Sequence, residues 1–372
     1  MTPLRPAWIE IDPGAIHHNV RQLRSLVGPA VKLIAVVKAN AYGHGAMPVA
    51  RECLAAGADM LAVALAQEGV ELREAGISAP VLILGTSDAG EAEAICEHGL
   101  TPSVSDPGLV RALSEAAGNL GCETQCHVKV DSGMGRQGVR GEDCEGFGAL
   151  LGGLPGLRVR GVFSHFASCP TDEAFTQEQT ANLHAAARAL EAGLGYRPEL
   201  RHVAASAGIL CAPETHLGAV RPGAILYGVA DCGYEQHLPR FRPVMSLKAR
   251  IVSTKRLGAG ESVGYGRTHL APADTRTALL PIGYADGYPR ALGNNAEVLV
   301  GGRRCPVVGR VSMDCIVADI GGVPEAQVGD EVVLLGAQGE ERIAAEELAQ
   351  RAGTCVQEIV SRMATRLPRV TP

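Results

Sequence analysis

The sequence predicts an α/β protein with two domains. An amino-terminal (β/α)8 barrel of the TIM type is expected over residues 11–239, and a carboxyl-terminal, mostly β domain over residues 240–372. Three observations predict this fold. Strand-like and helix-like segments alternate eight times before residue 230, the pattern becomes almost entirely β after residue 240, and 372 residues suit one large barrel with a smaller companion.

Eight short apolar or β-rich runs predict the barrel strands, and each is followed by an Ala/Leu/Glu-rich stretch with helical spacing. The runs are LIAVVKA, DMLAVAL, VLILG, TPSVS, QCHVKVD, RGVFSHF, LRHVAAS and AVRPGAILYG. The amphipathic segments between them include QEGVELREAG, DAGEAEAICEHG and DEAFTQEQTANLHAAARALEAG. Several end in the glycine that helices favour just past their last turn, which supports helices between the strands.

The second domain is predicted from strand-like runs joined by Gly, Pro and Asp turns. These runs are MSLKARIVSTKRL, TALLPIGYADGY, AEVLVGGRRCPVVGRVSMDCIVADI and DEVVLLG, and IAAEELAQRAG is the one segment with a clear helical pattern. The amino-terminal PAWIEIDP also predicts a strand. We expect this strand, in residues 1–10, to pair with the later domain.

Composition and charge argue against several classes of protein. The net charge of −6 comes from interspersed residues without a basic stripe, so we expect no nucleic-acid partner. The amino terminus lacks a signal-peptide pattern and no run approaches the length of a membrane span, which predicts a cytoplasmic protein without a membrane partner. Eleven scattered cysteines without a CxxC pair predict free thiols, and the dispersed histidines predict no metal site.

Reactive side chains follow several predicted strands at their carboxyl ends, where barrel enzymes carry their chemistry. Lys38 and Tyr42 follow the first run, His165 the sixth, Ser206 the seventh, and Arg221 lies at the eighth. A lysine facing a phosphate cradle across a barrel is what a pyridoxal 5'-phosphate enzyme needs, since it requires an amine and phosphate donors. Taken singly, Lys38 also fits a surface lysine, Ser206 a helix cap, Arg221 a surface ion pair and His165 a core histidine.

One motif formally matches the dinucleotide fingerprint. Gly133, Gly135 and Gly138 follow a predicted strand with the required spacing. That fingerprint also needs an acidic residue at the end of the next strand, whereas the next run carries Arg158 and Arg160. The sequence therefore disfavours a nicotinamide cofactor.

Seven motifs together resemble those of the alanine racemase family. They occur in order across residues 36–314: VVKANAYGHG, KVDSGMGRQG, FSHFA, RPGAILYG, VGYGRTH, GYADGYPR and VGRVSMD. The resemblance implies a pyridoxal 5'-phosphate-dependent isomerase that converts L-alanine to D-alanine. It also implies a homodimer with a barrel and a β domain in each chain, in which each active site is completed by the other chain.

By this resemblance, two bases on opposite faces of the substrate carry out catalysis. Lys38 carries the cofactor and serves one face, and Tyr265 of the partner subunit serves the other, because racemisation removes a proton on one side and returns it on the other. His202 matches the histidine that links this tyrosine to the arginine below the cofactor. Arg221 matches that arginine, where related barrel decarboxylases would call for a glutamate.

The resemblance also implies the residues that bind the cofactor and the substrate. Arg136 and the amide of Met313 from the partner are expected to bind the substrate carboxylate, with Asp314 in support. Lys129 matches a position that is either carbamylated or an ordinary lysine beside a bound anion. The expected cofactor-binding and site-shaping residues are Tyr42, His165, Ser206, Gly223, Ala224 and Tyr284, and those of the substrate corridor are Asp172, Arg290 and Arg310.

Two positions depart from the family pattern. Ala205 stands where the family commonly has an asparagine, and Gln357 replaces the tyrosine of a T-x-x-Y-E pattern. An amide in place of an aromatic wall widens the pocket and adds a hydrogen-bonding group, so we expect serine to be racemised as well as alanine.

Other functions remain as alternatives. The first is a serine or broader-specificity racemase, the second a pyridoxal 5'-phosphate-dependent barrel decarboxylase, which Arg221 and Tyr265 disfavour. The third is a non-catalytic carrier of the cofactor, which the β domain disfavours because such carriers lack one.

Overall fold

A computed structural model describes residues 5–230 and 233–372. Eight parallel strands close into a barrel, which confirms the predicted fold class, and every predicted barrel strand is present. After β1 (Ala7–Ile11), the barrel strands are β2 (Lys32–Val36), β3 (Met60–Val63), β4 (Val81–Thr86), β5 (Thr101–Val104), β6 (Thr124–Lys129), β7 (Leu157–Phe163), β8 (Leu200–Ala205) and β9 (Ala219–Arg221).

Helices connect the barrel strands, and three of them begin at an aspartate that caps the free backbone amides. Asp12, Asp106 and Asp172 accept from the backbone N–H three residues ahead, at 3.1, 2.9 and 2.9 Å. The helices are α1 (Pro13–Val27), α2 (Lys38–Tyr42), α3 (Ala46–Ala55), α4 (Ala66–Glu74), α5 (Ala92–Glu97), α6 (Pro107–Leu120), α7 (Cys144–Gly152), α8 (Glu173–Leu194) and α9 (Ser206–Cys211).

The interior of the barrel has an apolar side and a polar side. Because side chains alternate along a strand, every second residue points inward. On β2 to β4 and β9 the inward residues form an apolar cluster of Ile34, Val36, Ala62, Leu82 and Ala219. The polar side chains that are buried on β6 to β9 include His127, Lys129, His202 and Arg221.

The second domain contains a seven-stranded sheet, a three-stranded sheet and a two-stranded ribbon. Its strands are β10 (Met245–Arg250), β11 (Ser253–Leu257), β12 (Ser262–Val263), β13 (His269–Leu270), β14 (Thr275–Leu280), β15 (Glu297–Val300), β16 (Arg303–Pro306), β17 (Ile316–Asp319), β18 (Glu331–Gln338), β19 (Glu341–Ile343) and β20 (Arg369–Val370). Two helices follow the large sheet, α10 (Ala345–Ala352) and α11 (Val356–Ser361). The pattern indicated only the first of these, since six residues are too few to establish a helical period.

Strand β1 belongs to the large sheet of the second domain, although it precedes the barrel in the chain. It pairs antiparallel with β10, with Ile9 opposite Leu247, and parallel with β20, with Ile9 opposite Arg369. Its residues are buried on both faces apart from Glu10. Among the described residues, no helix combines the length and apolarity needed to cross a bilayer.

Candidate active site

A cavity of about 570 Å³ opens at the carboxyl ends of the barrel strands. Its wall includes residues at or just beyond the ends of seven of these strands, which is where a barrel collects its chemical groups. Ten of the residues predicted from the sequence line this one cavity: Lys38, Tyr42, Lys129, Arg136, His165, Ser206, Arg221, Gly223, Ala224 and Gln357.

Lys38 is held by an unusual backbone turn. The four residues from Ala39 to Tyr42 have φ between 52° and 53°, so α2 is a left-handed turn. For residues other than glycine this conformation costs roughly 1–2 kcal/mol each and persists only where neighbours enforce it. Asn40 accepts from the amide of Ala46 at 2.8 Å, and the Nδ1 of His44 lies 2.9 Å from the carbonyl oxygen of Ala41.

The amine of Lys38 lies in a positive environment. Burial is the main cause that lowers its pKa, and the charges of Arg136 and Arg221 lower the pKa further. The carboxylate of Glu68 acts in the opposite direction. The amine is therefore more easily deprotonated than an exposed lysine, as a proton acceptor must be.

Arg221 is a buried cation at the end of β9, only 3% exposed. Its Nη2 donates to the carbonyl oxygens of Ser164 at 2.8 Å and Val203 at 3.0 Å, and lies 3.3 Å from Nδ1 of His165. Burial lowers its pKa to about 9. The group thus stays protonated near neutral pH, and its partners among the described residues are neutral acceptors.

His202 lies behind Arg221, away from the cavity wall. Its Nδ1 is 2.6 Å from Nη1 of Arg221 and its Nε2 is 2.9 Å from Nδ1 of His127. Since Arg221 donates to one ring nitrogen and His127 occupies the other, neither is left for Tyr265. These contacts argue against the predicted link from His202 to Tyr265. His165 lines the cavity beside Arg221. It is therefore the histidine that a side chain entering the cavity could contact.

Lys129 is a second buried basic residue in the cavity wall. Its Nζ lies 4.5 Å from the centre of the Phe163 ring. Burial, followed by the charges of Arg221 and Arg136, holds its pKa well below the ordinary value. The amine is driven towards its neutral form, which is the form that reacts with carbon dioxide.

The opposite end of the cavity presents groups that donate hydrogen bonds. The Oγ of Ser206 accepts from the amides of Gly223 at 3.2 Å and Ile225 at 3.3 Å, which brings β8 and β9 together here. A β carbon on Gly223 would lie 2.6 Å from the Tyr42 hydroxyl, so the missing side chain leaves room for that group. Burial raises the pKa of Tyr42 to about 12, which keeps the hydroxyl protonated.

Gln357 enters the same cavity from α11 of the second domain. Helix α11 contacts the Lys38 turn directly, because a β carbon on Gly43 would collide with the carbonyl of Val360. The Oε1 of Gln357 is buried without a hydrogen-bond partner among the described residues. A buried acceptor left unpaired is unfavourable, and it indicates a place where a ligand donates.

Three predicted residues, Tyr265, Tyr284 and Met313, lie on the surface of the second domain. Their exposed fractions are 71%, 40% and 53%, and none lines the cavity just described within the residues that the structure covers. Asp314, next to Met313, accepts from Nη2 of Arg366 at 2.7 Å. Large exposed apolar side chains that group together typically mark a contact surface.

The cavity and its surroundings also contain residues that the sequence analysis did not single out. His127 precedes Lys129 by two residues on β6, so strand alternation could have predicted that both point into the barrel. Gly161 leaves space for it, since a β carbon there would lie 2.7 Å from the His127 ring. Phe163 and Gln137 also line the cavity, and both lie inside the quoted motifs FSHFA and KVDSGMGRQG, which could have pointed to them.

Comparisons with known proteins identify the family. Residues 11–231 match the amino-terminal domain of alanine racemases, and residues 244–371 match their carboxyl-terminal domain. An alanine racemase of Desulfovibrio desulfuricans is 44% identical over 368 residues, 98% of each chain. One of Symbiobacterium thermophilum is 43% identical over 367 residues, 98% of this chain and 97% of the other.

Solved structures agree with the sequence relatives. Alanine racemase from a D-cycloserine-producing Streptomyces lavendulae is 36% identical, with a TM-score of 0.94 over 100% of this chain and 98% of that one. The Bacillus anthracis enzyme with bound L-Ala-P is 35% identical, with a TM-score of 0.92 over 100% and 96% of the two chains. Since both domains match and full-length relatives are 43–44% identical, the chain belongs to the alanine racemase family.

Proposed function

We propose that the protein interconverts L-alanine and D-alanine with pyridoxal 5'-phosphate, in a homodimer whose active sites combine both chains. The observation that carries the proposal is the arrangement in one cavity of the half-buried Lys38, the buried Arg221 and a set of donors suited to a phosphate. The ten cysteines that the structure describes are free thiols, which supports a reducing compartment such as the cytoplasm.

The residues fit the cofactor at both of its ends. Lys38 would bind it covalently, and the hydroxyls of Tyr42 and Ser206 with the amides of Gly223 and Ala224 would hold its phosphate. The space left by the missing side chain of Gly223 supports this assignment. When bound, the cofactor supplies an aldehyde that condenses with an amine and a ring that withdraws electrons from the α carbon.

Arg221 would donate to the ring nitrogen of the cofactor without giving up its proton. Three contacts to neutral acceptors fix the guanidinium, and its pKa of about 9 leaves it charged at neutral pH. A fixed positive donor of this kind orients the bound group. His165 contributes a neutral imidazole, since burial and then the charge of Arg221 hold its pKa well below the ordinary value.

Two bases would exchange the α proton on opposite faces. Lys38 would serve one face, and its lowered pKa supports that role. Tyr265 of the partner subunit would serve the other, and its high exposure in the single chain supports a contact made across a dimer. We assign to His165, in place of His202, the contact with that tyrosine, because His165 lines the cavity.

Arg136 would bind the carboxylate of the substrate, with the amide of Met313 of the partner subunit. Lys129 lies near Arg136 in the same wall, and a negative charge on or beside its amine would stabilise that arginine. Either a carbamate on Lys129 or a bound anion supplies this charge. In both cases the expected effect is the same, namely a fixed orientation of Arg136.

Gln357 supports serine as a second substrate. Its unpaired Oε1 lies in the cavity wall, where a hydroxyl on the β carbon of a substrate would donate to it. Pairing a buried acceptor that is otherwise unsatisfied favours the ligand that carries the donor. Alanine lacks that hydroxyl, so the amide of Gln357 does not favour its binding.

The test is to incubate the purified protein with pyridoxal 5'-phosphate and either L-alanine or L-serine, and to resolve the products on a chiral column. We expect D-alanine from the first and D-serine, more slowly, from the second. Lys38→Ala should abolish both, whereas Lys32→Ala, an exposed lysine paired with Asp59, should change neither. Failure of the intact protein to form D-alanine would overturn the proposed function.

A further inference from the structure

Glu68 connects the Lys38 turn to the neighbouring strand of the barrel. It lies in the first turn of α4, after β3, and its Oε1 accepts from the amide of Ala39 at 2.6 Å. Its Oε2 accepts from the amides of Ala64 at 2.7 Å and Leu65 at 3.2 Å. One carboxylate therefore binds the residue directly after Lys38 and the end of the second barrel strand.

The contact with Leu65 alone is an ordinary capping interaction of a glutamate in the first turn of a helix. That role explains neither the bond to Ala39 nor the bond to Ala64. The bond to Ala39 satisfies the first amide of the left-handed turn, where regular helical partners are absent. Its acceptor is a carboxylate, so the bond is stronger than one between two neutral groups.

The other side-chain contacts of the turn are made after Ala39, towards its carboxyl-terminal end. The side chain of Asn40 caps the start of α3, and Nδ1 of His44 bonds the carbonyls of Ala41 and Tyr42. Arg369 donates to the carbonyl of Gly43 at 2.9 Å. Glu68 is the side chain that bonds the backbone immediately beside Lys38.

Glu68 also supplies a negative charge where positive charges gather. The charged and titratable groups around Lys38 come from several elements: Arg136 after β6, His165 after β7, Arg221 on β9 and Glu68 on α4. Of the charges that act on the amine in the described chain, those of Arg136 and Arg221 favour its neutral form, whereas that of Glu68 favours its charged form.

We propose that Glu68 is a positioning residue for the reaction: it fixes the left-handed turn that presents Lys38 to the cavity, and its charge balances the arginines around the amine. The inference rests on the proposed function, in which Lys38 exchanges the α proton. An amine surrounded by cations alone would hold a proton too weakly to return it to the substrate.

The test compares Glu68→Gln and Glu68→Ala with Glu71→Gln, a matched control on the same helix whose carboxylate is exposed and contacts Gln67. The first readout uses the full-length protein without cofactor. Lys38 is modified with an amine-acylating reagent across a pH series, and the modified peptide is quantified by mass spectrometry. The midpoint of that titration should fall by about half a pH unit or more in both Glu68 variants.

The second readout is the pH profile of kcat for alanine with the cofactor bound, because Lys38 would be joined to the cofactor in the free enzyme and its amine would be free only in the complex with substrate. Its acid limb should move to lower pH in Glu68→Gln, and kcat should fall about tenfold because the amide nitrogen cannot accept from Ala64 and Leu65, which leaves the Lys38 turn detached from the end of β3. Glu71→Gln should match the unchanged protein in both readouts. Should Glu68→Ala fail to fold, Glu68→Gln still answers the question, since its amide oxygen can keep the bond to Ala39.

An unmoved labelling midpoint in Glu68→Gln would overturn the proposal, even if the variant were less stable, because a purely structural residue loses stability without changing the protonation of Lys38. An unchanged kcat would overturn it as well. Failure of the proposed function can be distinguished from these results, because the protein without any substitution would then not racemise alanine.

Discussion

The hydroxyl of Tyr42 occupies the space that a side chain on Gly223 would fill, because a β carbon there would lie 2.6 Å from the phenolic oxygen. The two residues come from opposite ends of the barrel sequence, Tyr42 after β2 and Gly223 after β9. The closure of the barrel between these strands brings them together. Their contact therefore links the geometry of the barrel to the predicted phosphate site.

Gly223→Ala should weaken the binding of pyridoxal 5'-phosphate by about tenfold, because the added methyl group displaces the Tyr42 hydroxyl from the phosphate. Titration of the cofactor-free protein by absorbance measures this affinity. Gly118→Ala is the control, since Gly118 is in α6 and a β carbon there meets no atom within 4 Å. If Gly223→Ala binds the cofactor as tightly as the control, the assignment of this end of the cavity is wrong.

Mixed dimers test whether Tyr265 acts across the subunit interface. Lys38→Ala and Tyr265→Ala chains should each be inactive alone. After they are unfolded together and refolded, half of the dimers should be mixed, each with one intact site, so activity should return to about one quarter of the original. Racemisation of alanine is the measurement. Absence of any recovery, with mixed dimers verified by mass spectrometry, would indicate that both residues act within one chain.

Gln357→Tyr should lower the ratio of serine to alanine turnover. The substitution removes the unpaired Oε1 and fills part of the cavity with an aromatic ring. We expect the ratio of the two kcat/KM values to fall about tenfold, the effect of one lost hydrogen bond. Glu358→Gln is the matched control, because Glu358 is the next residue of α11 and pairs with Arg362. An unchanged ratio in Gln357→Tyr would contradict a role for the amide in specificity.

Acid should destabilise the fold through its buried histidines. Burial lowers the pKa of His127 to about 3 and that of His44 to about 4, against about 6.5 in an unfolded chain. Between these limits the unfolded state binds more protons, so the stability present above pH 6.5 is lost as the pH falls. Each histidine contributes up to about 1.4 kcal/mol per pH unit. Urea unfolding of the cofactor-free protein at pH 7.5, 6 and 5 measures this loss.

His127→Gln should reduce that pH dependence, because the amide cannot titrate but can still accept from His202. The comparison to make is the slope of unfolding free energy against pH, not the stability at one pH. An equal slope in the variant and the original protein would mean that His127 takes up its proton at the same pH in the folded and the unfolded state.

Much of the fold could be predicted from the sequence. Each barrel strand contains a compact run of β-branched or apolar residues, and each run ends at a turn, so the alternation indicated a parallel barrel without any knowledge of contacts. Strand pairing followed from the same pattern, since consecutive parallel strands joined by helices lie side by side. The second helix of the β domain lacked such a signal.

The geometry of the site could be predicted less well than the fold, for physical reasons. The left-handed turn contains Ala39, Asn40, Ala41 and Tyr42, and only Asn40 is a residue type that tolerates positive φ locally. Tertiary contacts enforce this turn, and a local pattern does not contain them. The contact predicted for His202 disagrees with its hydrogen bonds to Arg221 and His127, because a motif gives the residue but not the direction of its ring nitrogens.

The position of β1 affects the order in which the protein can be completed during synthesis. This strand leaves the ribosome before the barrel does, but its neighbours β10 and β20 are made after the entire barrel. The apolar residues of β1 therefore have no strand partners while the barrel is being synthesised. Nascent chains halted before β10 should consequently expose an uncovered strand at the start of the chain, which is a natural target for chaperones.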